Sequence, residues 1–114
     1  MIDDPELVDR LLNKLDAQVP FPATTTPALS AELRRRSPNP PLPRRCRVTR
    51  VDYAGDEGGI MCGIDFGIAN AEKAHFVSMT HLTFDRCVPL YQEIEAYRKR
   101  RIKRLRRLHG APTP

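Results

Sequence analysis

The sequence contains no tryptophan, and its other aromatics are three tyrosines and four phenylalanines in 114 residues. That scarcity leaves little for a surface on which bases could stack, and Tyr91 and Tyr97 read as helix packing. No Cys-x-x-Cys pair occurs among the three cysteines, Cys46, Cys62 and Cys87. An odd count without paired spacing excludes a disulfide framework and the common structural zinc sites. No apolar run approaches the ~18 residues of a membrane span, and the acidic N-terminus lacks the basic stretch that opens a secretion signal. These absences predict a cytoplasmic protein with reduced thiols, no cofactor and no membrane partner.

Acidic residues are missing from two whole blocks. Residues 33–50 carry seven bases and no acid, and residues 96–114 carry eight bases and no acid. Residues 1–32 and 51–95 are net acidic, so the formal charge of +5 hides an alternation of sign. Arginine outnumbers lysine fifteen to four, which points first to a GC-rich, bacterial coding sequence and second to guanidinium chemistry. Like-charge blocks mark interaction surfaces or solvated faces, and the basic ends could also neutralise the acidic middle.

Eleven prolines, gathered mostly between Pro20 and Pro43, divide the chain. Residues 1–19 read as an amphipathic helix capped by Asp4, with Leu7, Val8, Leu11, Leu12, Leu15 and Val19 on one face. The Leu7/Leu11/Leu15 stripe is a candidate docking surface for a protein partner or a second copy. Residues 20–44 read as a proline-rich linker with a short helical turn, and Ser37 to Arg45 as polyproline II. Within it, Pro40-Pro41-Leu42-Pro43-Arg44-Arg45 fits a P-x-x-P-x-R peptide ligand as well as a stiff spacer.

Residues 45–110 read as a β-β-β-α module. Cys46–Tyr53 is β-rich, Ala54 to Gly59 forms a glycine turn, and Ile60, Cys62, Ile64, Phe66 and Ile68 alternate with period two. Asn70 to Lys73 lead into a third strand over about His75–Phe84, and a helix runs from about Pro89 to His109, stopped by Gly110. The expected architecture is α+β: a small three-stranded antiparallel sheet with a long basic C-terminal helix, plus the N-terminal helix on its proline-rich arm.

Few constellations suggest chemistry. His75 and His81 on one strand would lie ~20 Å apart, too far to share an ion. Cys87, beside Arg86 and before a helix, is the candidate for a lowered thiolate pKa. Gly63-Ile64-Asp65-Phe66-Gly67 resembles the strand-and-turn motif of actin-like ATPases and RuvC-type nucleases, which implies a metal-dependent enzyme fragment centred on Asp65. The order strand, Asp56-Glu57-Gly58-Gly59 hairpin, strand, strand, helix resembles HicB-type antitoxins. That resemblance implies a sheet module binding a small ribonuclease toxin, but the proline–glycine–cysteine segment after the second strand is missing.

The densest signal is Arg98, Lys99, Arg100, Arg101, Lys103, Arg104, Arg106 and Arg107 on the last helix. Closely spaced cations meet the phosphates of RNA or DNA through counterion release, and arginine adds bidentate geometry. Arg34, Arg35, Arg36, Arg44, Arg45 and Arg47 form a second patch, which extends to Arg50. The sequence therefore predicts a non-enzymatic, nucleic-acid-binding accessory or adapter protein. The alternative is an antitoxin-like or assembly module whose basic helix docks on an acidic protein.

Overall fold

In the computed structural model, residues 3–36, 43–67 and 75–108 are described. The first helix, α1, spans Pro5–Asp16. Its cap is the expected one: Asp4 Oδ1 accepts the backbone N–H of Glu6 at 3.0 Å and of Leu7 at 3.4 Å. Those donors have no carbonyl within the helix to bond. Val8, Leu11 and Leu15 are buried, whereas Leu7 is 42% exposed.

Residues 21–36 contribute a strand and a helix to the fold, which corrects the three-stranded expectation. Phe21–Thr25 forms strand β1, and Pro27–Arg36 forms α2, a ten-residue helix rather than a short turn. Phe21, Ala23 and Thr25 turn inward while Pro22 faces out. Pro22 is tolerated because the strand Leu82–Thr83 pairs with β1 only at Thr24 and Thr25, so no ladder bond is asked of its nitrogen on that side. Residues Ser37 to Leu42 of the expected polyproline segment lie outside the described residues, as do Ile68, Asn70 to Lys73, His109 and Gly110.

β2 (Arg45–Tyr53) and β3 (Ile60–Asp65) form the hairpin that the alternation predicts. The expected third strand is two strands. Ser78 Oγ accepts the Thr80 N–H at 3.4 Å and starts a single 3-10 turn at Met79–His81. This separates β4 (His75–Ser78) from β5 (Leu82–Thr83). The strand order is β4-β3-β2-β1-β5, with every pairing antiparallel. One short turn therefore carries the chain from one sheet edge to the other, and the five-stranded sheet curls into a half-barrel. Apolar residues on both faces of 75–84 reflect this change of strand.

The inner face (Phe21, Val48, Ile60, Cys62, Ile64, Val77) joins Val8, Leu11 and Leu15 of α1, Leu29 and Leu33 of α2, and Ile94 and Tyr97 of the last helix in one core. The helix α3 spans Tyr91–Leu108. Leu11 and Leu15 are thus packed inside the molecule. The N-terminal helix does not hang on an arm, because β1 brings the chain straight back into the sheet.

A buried polar cluster locks the two ends of the chain to the β2–β3 hairpin. Arg101, only 2% exposed, donates from Nη1 to Asp3 Oδ2 at 2.8 Å and from Nη2 to the Asp56 carbonyl at 2.8 Å. The hydroxyls of Tyr53 and Tyr97 donate to the same Asp3 oxygen, each at 3.2 Å. Tyr97 Oη also accepts the Ile60 N–H at 2.8 Å. Burial, reinforced by the Asp3 carboxylate and opposed by the Ile60 N–H, pushes the Tyr97 hydroxyl far above its ordinary pKa. Gly59, at φ +67°, lies beneath: a Cβ there would stand 2.3 Å from Tyr97 Oη and 2.6 Å from Arg101 Nε.

Two stability outcomes follow from this cluster. Gly59→Ala should cost about 2–5 kcal/mol, combining left-handed strain with overpacking against locked side chains. Gly67→Ala, at φ +74° in open space, should cost only about 1–2 kcal/mol of strain. Urea unfolding of the two variants checks the difference. Asp3→Ala leaves the Arg101 charge buried without its counterion and should cost about 3–5 kcal/mol, read as a lower midpoint at unchanged denaturant slope.

Candidate nucleic-acid interface

The eight cations of α3 divide into two groups. Arg101 is held in the cluster above. Arg98 donates from Nε to the Met79 carbonyl at 3.2 Å, from Nη2 to the Thr80 carbonyl at 3.4 Å, and from Nη1 to Glu95 at 2.8 Å. These two guanidiniums therefore satisfy orphan carbonyls of the two turns beside the helix, and Arg104 is half-buried. Lys99, Arg100, Lys103, Arg106 and Arg107 are exposed. At 3.6 residues per turn these five fall within a sector of about 120°, along a rise of about 12 Å. The helix is not basic all round: packing selects one cationic stripe.

The second patch is dispersed. Arg34, Arg35 and Arg36 are exposed in the last turn of α2, where cations oppose the negative end of the helix dipole. Arg35 and Arg36 both pair with Glu32, the latter at 3.2 Å. Arg44 Nη2 donates to the Thr25 carbonyl at 3.2 Å. Arg45 and Arg47 are exposed on β2, with Asp65 paired opposite Arg47. A bulge between Val48 and Arg50 absorbs Thr49, so Arg50 returns to the face of Arg45 and Arg47 while Val51 turns inward. Period-two counting puts Arg50 on the opposite face from Arg47. The bulge carries no mark in the sequence.

Arg50, Gly63 and Phe76 form one row across β2, β3 and β4. The Arg50 guanidinium stands 5.5 Å from the Phe76 ring centroid, and the ring edge would lie 3.2 Å from a Cβ on Gly63. Phe76 is 45% exposed. It borders a groove of about 600 Å³ between α2 and β4, lined also by Leu33, Arg36, Glu57, Met61 and His81. Sequence reading missed Phe76, because it stands beside Val77 within a run apolar on both faces.

The remaining candidates are placed as follows. His75 and His81 do not share one extended strand; the Met79–His81 turn lies between them, and both line the groove. Asp65 is exposed at the end of β3, where Oδ1 accepts the Gly67 N–H at 2.9 Å, a local turn contact. Among the described residues no group of three or more His, Cys, Asp or Glu is placed to hold a metal ion, and no helix is long and apolar enough to cross a membrane. Burial pushes the Cys46 thiol up to about 11 and the Cys62 thiol up to about 12.

Cys87 reverses the expectation of a lowered pKa. The helix begins at Tyr91, too late to act on it, and the hydrogen-bonded Asp85 carboxylate raises the thiol instead. Asp85→Asn should therefore lower the Cys87 pKa toward its ordinary value. Alkylation of that thiol near pH 8 should then be faster than in the unsubstituted protein, as followed by mass spectrometry. Compared with protein-family models, curated proteins and solved structures, the chain matches none of them.

Proposed function

We propose that this protein is a non-enzymatic accessory that binds nucleic acid through the exposed stripe Lys99, Arg100, Lys103, Arg106 and Arg107. The observation that carries the reading is the division of labour on α3. Packing uses Arg98 and Arg101, and the five exposed cations are left aligned on one side, with no acidic residue after Glu95. Five charges converging on one line repel one another, and a row of phosphates relieves that repulsion while releasing its own counterions. Arg34, Arg45, Arg47 and Arg50 lie off this stripe, on α2 and β2, and do not add to its contact with a duplex.

A stripe of this kind supplies affinity without base specificity, since phosphates are alike in every sequence. Binding to a labelled duplex should weaken with a log–log salt slope of about −4. Replacing Arg100, Lys103, Arg106 and Arg107 by Gln should flatten that slope to about −1 and leave the melting temperature within a few degrees. Binding that ignores both salt and these four substitutions transfers the stripe to an acidic protein partner.

A further inference from the structure

We infer that the nucleic acid is single-stranded, and that it crosses the outer face of the sheet with a base stacked on Phe76; this rests on the proposed function. Arg45, Arg47 and Arg50 are exposed on one face of β2, and successive same-face positions of a strand lie about 7 Å apart. That interval is comparable to the phosphate spacing of an extended single strand. The row ends at the notch over Gly63. There the missing side chain lets Phe76 lean over β3 toward Arg50, and the ring stays nearly half open to solvent.

An exposed phenyl ring flanked by a guanidinium suits a nucleobase, which stacks on the ring and gains a cation–π contribution from the arginine. The groove beside Phe76, at about 600 Å³, gives such a base somewhere to go.

Acidic groups share this surface. Asp65 faces Arg47, Asp52 lies two residues beyond Arg50, and Glu32 and Glu57 line the groove. Two phosphate rails of a duplex would run into these carboxylates. One strand with its bases turned toward the sheet keeps its phosphates on the arginines, and carboxylates can accept hydrogen bonds from base amino groups. The charge pattern thus favours one strand over two. The α3 stripe binds either form.

The test compares labelled oligo-U, oligo-dT and a hairpin duplex of equal charge, with the full chain carrying Phe76→Leu or Phe76→Tyr. Leucine still covers Gly63 but cannot stack; tyrosine can. Unsubstituted protein should prefer the single strands. Phe76→Leu should weaken both single-strand affinities roughly tenfold without changing their salt slope or duplex binding, and Phe76→Tyr should restore them. A preference for oligo-U over oligo-dT, or the reverse, identifies which single strand the site takes. Phe76→Leu binding like the unsubstituted protein, or an intrinsic preference for duplex, overturns the inference while binding through α3 stands. Binding of none of the three probes overturns both.

Discussion

The Asp3–Arg101 ion pair is the constraint around which the rest of the molecule is arranged. A guanidinium taken out of water is stable only with a counterion and acceptors for its protons. Here Asp3 and the Asp56 carbonyl supply them, and two tyrosine hydroxyls satisfy the carboxylate further. The bond geometry fixes three things together: the depth at which α3 crosses the sheet, the conformation of the hairpin at Gly55–Glu57, and the chain's path into α1. Arg101 Nε is buried without an acceptor among the described residues. The cluster therefore has little room for rearrangement, since a moved guanidinium would leave more donors unsatisfied.

That constraint also shapes the surface. Arg101 rotates the helix about its axis so that Ile94 and Tyr97 face the sheet and Arg98 reaches the Met79–His81 turn. The cations left over must then point the other way. A helix whose sequence distributes arginine on every side becomes one with a structural side and a cationic side, through contacts that are themselves made by arginine. Basic residues on this helix are either packed or exposed, and only burial distinguishes them.

Much of the local structure was legible in the sequence. The Asp4 cap, the α1 stripe, the β2–β3 hairpin and most of α3 all follow from short-range rules. What was not legible came from long-range pairing. Phe21–Thr25 looked like linker because two prolines flank and enter it, and only the presence of β2 alongside makes its alternation a strand. The split at Ser78 depends on a side-chain hydrogen bond within one turn. The same holds for the candidate interface. The cluster Arg98 to Arg107 was visible as charge, but which members face solvent depends on Asp3, almost the whole chain away. The row Arg50–Gly63–Phe76 needs a bulge and two registers, neither of which the alternation reveals.

The pairing of residue 3 with residue 101 also sets an order of events during synthesis. These partners are separated by 98 positions, so their contact cannot form until Arg101 has left the ribosome. The hairpin can close earlier, but it then presents the Asp56 carbonyl and the Ile60 N–H to water, with α1 lacking the carboxylate's counter-charge. Closing such a long loop carries an entropic cost that only the late contacts offset. The hairpin, α1 and α3 are therefore joined only once Arg101 is in place, and a copy lacking it would keep Ile94 and Tyr97 but leave the Asp3 carboxylate without its counterion.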